Sequence, residues 1–172
     1  MSPEPSNIVL IGMPGAGKST VGVLLAKRLS RGFVDTDLLI QTAQGRSLQS
    51  IVDTDGYLAL RDIEEKLLLE LHCSNQVIAT GGSAAYSFSA MTHLKQNGIV
   101  IFLHADLETL HTRVRDFSER GLAKKPDQSL AELFIERYSL YTDHADITID
   151  SCHLRHEEVC ARIVDRLDTG PL

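Results

Sequence analysis

With 172 residues, 43% of them hydrophobic and 23% charged, the chain has room for one domain with a substantial core. Its formal charge of −6 leaves no basic stripe to follow a nucleic-acid backbone, so no nucleic-acid partner is expected. No stretch approaches the ~18–20 apolar residues of a membrane span, which sets a membrane role aside as well.

The opening, 1–6, holds an acid and two prolines rather than a basic region and an apolar core. It reads as a flexible leader and not a signal peptide, so a cytoplasmic location is expected. Asn7–Ile11 is a short apolar, β-branched segment that predicts a buried strand. Gly12-Met13-Pro14-Gly15-Ala16-Gly17-Lys18-Ser19 follows and fits G-x-x-x-x-G-K-[ST]. A helix from Thr20 to Leu29 comes next, with Val21, Leu24, Leu25 and Leu29 at helical spacing.

Strand, glycine loop and helix together make a phosphate cradle, in which backbone N–H groups and the helix N-terminus converge on an anion. Lys18 supplies a point charge for the β- and γ-phosphates, and the Ser19 hydroxyl is placed to bind Mg²⁺. A nucleoside triphosphate is therefore the expected ligand.

Gly32-Phe33-Val34 leads, as a second strand, into Asp35-Thr36-Asp37, with another apolar segment from Leu38. Ser47 reads as the N-cap of a short helix ending near Asp53, and Asp55-Gly56 opens a long helix to about Cys73. Gln76–Ala79 reads as a central strand ending in Thr80-Gly81-Gly82-Ser83. A helix near Phe88 to Gln96 precedes a strand from Gly98 to Leu103, whose unbroken apolar character suits burial on both faces. Asp106 caps a helix with Leu107, Leu110, Val114 and Phe117 on one face.

Periodicity then lapses over about 117–128, predicting a charged, mobile loop of the length that serves as a lid. Leu130 to about His144 is helical, Asp146–Asp150 is the fifth strand, and Glu157–Leu167 is the closing helix. The alternation predicts a single α/β domain over 1–172, with a mainly parallel sheet. Cys73, Cys152 and Cys160 are expected to be reduced thiols. Cys152, His153, His156 and Cys160 are poorly spaced for a tetrahedral metal site, so Cys160 is expected in the core and the histidines on a solvated face.

Three features break the packing pattern. Asp35 and Asp37, two apart on an extended chain, point to opposite sides at the carboxyl end of a strand. One can serve Mg²⁺ near Ser19 and the other a substrate hydroxyl, although either could instead cap the next helix. Arg137 falls within the apolar stripe of Leu130, Leu133, Phe134, Leu140 and Tyr141, where a guanidinium needs an anionic partner from the chain or a ligand. Arg61 sits at the edge of a similar stripe; by itself it reads as a surface partner of Glu64 or Glu65. Together with Arg137, Asp37 and Gly81-Gly82 it describes a pocket for a small anionic alcohol.

These landmarks, with Leu60-Arg61-Asp62-Ile63-Glu64-Glu65 and Arg137 ahead of Leu140-Tyr141, resemble the shikimate kinase family from Asn7 to about Leu167. The resemblance implies a three-layer α/β/α kinase of nucleoside-monophosphate-kinase type, with five parallel strands and a lid. It implies ATP and Mg²⁺ as cofactors, shikimate as the small-molecule substrate phosphorylated on its 3-hydroxyl, and a monomer.

Asp37 would hold the substrate hydroxyls and accept the proton. Asp35 would stand near Mg²⁺ through water, with Ser19 as direct ligand. Arg61 and Arg137 would grip the carboxylate, and backbone N–H groups around Gly81 and Gly82 would contact substrate. Lys18 and the lid residue Arg120 would act on the transferred phosphoryl group, and Arg113 would stack on adenine. The rest of the nucleotide contacts fall on Gly12, Pro14, Gly15, Ala16, Gly17, Ser19 and Thr20.

Ser83, Tyr57 and Leu60 replace a glycine, a glutamate and a phenylalanine of the family pattern, and Arg120-Gly121-Leu122-Ala123 replaces Arg-Pro-Leu-Leu. With that change, Lys124 or Lys125 is an alternative to Arg120. A related kinase for another hydroxylated acid, and a nucleotide-binding module without turnover, are the competing functions.

Overall fold

The structure, a computed structural model, describes residues 5–114, 116–117 and 120–169. Five parallel strands form one sheet: β1 (Asn7–Ile11), β2 (Gly32–Asp35), β3 (Gln76–Ala79), β4 (Gly98–His104) and β5 (Ile147–Asp150). Their spatial order is β2-β3-β1-β4-β5. Val9 lies opposite Ile78 on one side and Val100 on the other, so β1 is central and all five of its residues are buried. The chain leaves β1 for one side of the sheet and later crosses to β4 on the other. The loop after β1 therefore stands at the switch point, where α/β sheets open a crevice.

Among the described residues eight helices surround the sheet: α1 (Lys18–Leu29), α2 (Thr36–Gln44), α3 (Leu48–Asp55), α4 (Tyr57–Glu70), α5 (Phe88–Lys95), α6 (Leu107–Arg113), α7 (Leu130–His144) and α8 (His156–Thr169). None is long and apolar enough to cross a membrane. α1 packs on α8 and β3, whereas α5 packs on α4 and β4. Caps mark the helix starts: Ser47 Oγ accepts from Ser50 N–H, Asp106 from Thr109 N–H, and Ser129 forms a reciprocal capping box with Glu132.

Several boundaries move from their sequence positions. α1 begins at Lys18, two residues early, and α4 ends at Glu70 rather than near Cys73. α6 stops at Arg113, with Val114 already extended, so Val114 and Phe117 do not continue its apolar face. Residues 1–4 of the expected leader lie outside the described residues. Ser6 is tied down, its N–H and Oγ both bonding Asn97 Oδ1 at 3.2 and 3.1 Å.

The main core surrounds β1 and β4. A second, smaller cluster joins Ile40 of α2, Ile51 of α3 and Leu60 of α4 to Ala123. Ala123 belongs to the segment expected to be a charged, mobile loop, yet it is 4% exposed and Leu122 8%. Gly121 N–H also donates to Gln49 Oε1 at 2.7 Å. Two apolar side chains between charges carry no periodicity, so their burial was invisible in the sequence, and the seat of Ala123 exists only once α2, α3 and α4 come together. Ser118 and Glu119 of the same segment lie outside the described residues.

Candidate active site

A cleft of about 900 Å3 opens over the carboxyl ends of β1 and β3. Pro14, Gly15, Gly17, Lys18, Ser19 and Thr20 line one half of it. Lys18 is 8% exposed, and its Nζ donates to the Gly12 and Met13 carbonyls at 2.7 and 2.9 Å. Burial lowers its pKa to about 8, with Asp37 opposing and Arg137 adding to the shift. Gly12 and Ala16 act from beneath the cleft lining. The Gly12 carbonyl holds Lys18, and the Ala16 carbonyl accepts from Arg113 Nη1 at 3.1 Å. Arg113 also bonds the Ser151 carbonyl at 2.8 Å, which fixes its guanidinium beside the phosphate loop. Arg120 lines the rim and is exposed.

Ser19 Oγ donates to Asp35 Oδ2 at 2.5 Å, while Asp35 Oδ1 accepts from Leu38 N–H as the N-cap of α2. The aspartate thus caps the helix with one oxygen and stands beside the Ser19 hydroxyl with the other. The two carboxylates diverge for a different reason than an extended chain: Asp35 ends β2, and Asp37 already belongs to the first turn of α2. A hydroxyl and a carboxylate side by side are hard oxygen donors that fit Mg²⁺, which keeps most of its own water.

Asp37 turns into the other half of the cleft, where burial raises its pKa against the pull of Lys18. Glu64 stands beside it, 3% exposed, its pKa raised to about 7 by burial and then by Asp37. Both carboxylates crowd Gly81: a Cβ there would sit 2.6 Å from Asp37 Oδ1 and closer still to Glu64 Oε1. A Cβ on Gly82 would meet Arg137 Nη1 at 2.6 Å and Pro14 Cδ at 2.8 Å. Gly81-Gly82 is therefore the seam along which acids, arginine and phosphate loop approach one backbone. The Gly81 N–H is not free for a ligand, because it donates to Thr36 Oγ1 at 3.1 Å. The Gly82 N–H has no hydrogen-bond partner among the described residues, and Tyr141 Oη donates to the Gly82 carbonyl at 2.6 Å.

Arg137 is 1% exposed, and neither it nor Arg61 pairs with a carboxylate among the described residues. Both donate through Nη2 to the Ala123 carbonyl, at 2.9 Å from Arg137 and 3.1 Å from Arg61. Tyr86 lies against the pair, its ring centre 3.6 Å from the Arg61 guanidinium carbon and 5.5 Å from that of Arg137. Tyr57, one of the departures from the family pattern, stacks on Arg61 at 5.1 Å. Arg61 stands behind the Ala123 carbonyl and does not line the cleft, contrary to its expected place in the pocket wall.

Three buried polar atoms have no partner among the described residues: Arg61 Nε, Arg137 Nε and Glu64 Oε1. Of these, Arg137 and Glu64 line the cleft, and one cationic donor with one carboxylate acceptor there describes a ligand carrying both an anion and a hydroxyl.

Sequence reasoning missed Glu64 as a site residue because an acid three positions after Arg61 reads as a helix-surface pair. It also missed Tyr86, Gln49 and His156, whose ring lies over Gly17, because none has a local signal. The doubtful metal cluster does not assemble: Cys160 is buried, with Sγ 3.6 Å from the Val21 carbonyl, and His153 is exposed.

A family model described as shikimate kinase matches residues 14–168. A shikimate kinase of Thermodesulfovibrio yellowstonii is 38% identical over 170 residues, covering 95% of this chain and 98% of the relative. A solved shikimate kinase from Acinetobacter baumannii in complex with shikimate superposes with a TM-score of 0.87 at 33% identity, covering 98% of this chain and 95% of its own. The shikimate kinase of Aquifex aeolicus gives 0.77 at 31%, covering 95% and 96%. The P-loop, the paired acids, the buried Arg137 and the half-buried Arg61 thus sit on a scaffold shared end to end with these enzymes, and the chain belongs to the shikimate kinase family.

Proposed function

We propose that this chain transfers the γ-phosphoryl group of ATP to the 3-hydroxyl of shikimate, acting as a cytoplasmic monomer. The observation that carries the acceptor half is the set of orphaned atoms. Arg137 Nε is a donor for a carboxylate, with Arg61 adding its charge from behind the shared Ala123 carbonyl, and Glu64 Oε1 is an acceptor for a hydroxyl. Guanidinium forks suit a carboxylate better than an ammonium would, because they grip it at two points.

Asp37, on the cleft wall between Lys18 and Gly81, holds the attacked hydroxyl and accepts its proton. Lys18 leaves its two carbonyl partners to meet the phosphates, and Arg120 reaches the same oxygens from the rim. Arg113 borders the base. Ser19 and Asp35 are the residues that would hold Mg²⁺, whose charge offsets that of the β- and γ-phosphate oxygens when it is bound. Ala123, seated on the second core, and the buried Leu122 beside it keep the lid over the acceptor and exclude water that would otherwise take the phosphoryl group.

A coupled assay with ATP and Mg²⁺ across shikimate, gluconate and nucleoside monophosphates tests this reading. Shikimate is expected to give the highest kcat/KM. A higher value for another acceptor overturns the assignment, and binding of ATP and shikimate without turnover reduces the protein to a binding module.

A further inference from the structure

Ser83 is 6% exposed on the turn after Gly82. Its Oγ donates to Glu64 Oε2, the one side-chain hydrogen bond that Glu64 makes among the described residues. Glu64 Oε1 is buried without a partner, over the same point of Gly81 that Asp37 Oδ1 crowds. A carboxyl group is rigid and planar, so holding one oxygen fixes the direction of the other. Without that hold, the Glu64 side chain would be free to turn toward Arg137 or Lys18, both of which act on it electrostatically.

We infer that Ser83 is a positioning residue for acceptor recognition: by clamping one oxygen of Glu64 it leaves the other turned over Gly81, beside Asp37, to receive a hydroxyl of the acceptor. This rests on the acceptor reading above and adds to it a residue that never touches the acceptor's carboxylate. The hydroxyl also favours the ionised form of Glu64 against its burial. The charged and titratable groups facing Glu64 are Lys18 from α1, Asp37 from α2 and Arg137 and Tyr141 from α7. None of these donates a hydrogen bond to Glu64 among the described residues, and Ser83 does.

The test is a ligand-free titration of the Glu64 carboxyl by carbon NMR, assigned with Glu64→Gln, in the wild type, Ser83→Ala and Ser83→Thr. Removing the hydroxyl is expected to raise the Glu64 midpoint by about one pH unit, and threonine to restore it. In steady state, Ser83→Ala is expected to raise KM for shikimate about tenfold while KM for ATP stays within about twofold. On a Glu64→Ala background the same substitution adds less than about twofold, because the residue through which it acts is gone.

Ser83→Gly, which also lacks the hydroxyl, replaces Ser83→Ala if that variant unfolds. An unchanged midpoint, or an equal KM penalty on both backgrounds, overturns the inference. A shifted midpoint in a protein that does not phosphorylate shikimate upholds the clamp and overturns the acceptor reading instead.

Discussion

Arg61 and Arg137, on helices α4 and α7, donate to one carbonyl oxygen, that of Ala123, at 3.1 and 2.9 Å. The lid backbone thereby aligns two cations that repel each other and leaves both Nε groups buried without a partner, with Arg137 lining the cleft and Arg61 behind the shared carbonyl. Anion binding and lid seating share the same guanidinium groups, so disturbing either affects the other.

Arg137→Lys is expected to raise KM for shikimate by about 10- to 100-fold, since an ammonium lacks the planar fork that grips a carboxylate at two points. KM for ATP should stay within about threefold. Steady-state kinetics with each substrate varied in turn will read this, and an unchanged shikimate KM would sink the carboxylate grip.

Asp37→Asn keeps the size of the side chain and removes its basicity. kcat is expected to fall about 10²- to 10⁴-fold, with ATP affinity by calorimetry changed only a few-fold. Loss of ATP binding instead would assign Asp37 to the nucleotide half.

Gly82→Ala places a methyl group 2.6 Å from Arg137 Nη1 and 2.8 Å from Pro14 Cδ. Because those atoms belong to the two halves of the cleft, KM should rise for both substrates. A stability loss of about 1–3 kcal/mol is expected from the overpacking. Thermal unfolding together with kinetics checks it; a change confined to one substrate would show that the seam is not shared.

Glu64 binds its proton more tightly in the folded protein, with a pKa of about 7, than at its ordinary value of 4.5. Between those values the native state holds more protons than the unfolded state, so stability falls as pH rises through that window. The contribution is fully present below about pH 4.5 and is lost above about pH 7, up to about 3 kcal/mol. Glu64→Gln, always neutral, is expected to lose less stability than the wild type between pH 5 and pH 8. Urea unfolding at the two pH values measures this, and equal slopes for both proteins would contradict it.

Gln49→Ala removes the acceptor for Gly121 N–H and loosens the lid without touching the phosphate loop. ATP hydrolysis without acceptor should rise a few-fold as water gains entry. Phosphate release in the absence of shikimate reads it, and an unaltered rate would mean that the apolar seat of Leu122 and Ala123 holds the lid alone.

The strand–loop–helix start, the five strands and the helix caps Ser47 and Asp106 were legible in the sequence because local rules govern them. Hydrophobic period identifies strands such as Gly98–His104, serine and aspartate announce helix starts, and the P-loop spacing is dictated by backbone geometry around phosphate. Arg137 announced itself by breaking a stripe.

What only the tertiary structure decided is which distant groups face one another. Glu64 looked like half of a surface pair until α4 packed against the Gly81-Gly82 seam and buried it beside Asp37. Leu122 and Ala123 looked like part of a charged loop until the fold buried both and three helices gave Ala123 a seat. The local pattern therefore determined the elements and the phosphate loop. The fold determined the acceptor pocket, because burial there shifts the ionisation of Lys18, Asp37 and Glu64 and sets which groups they meet.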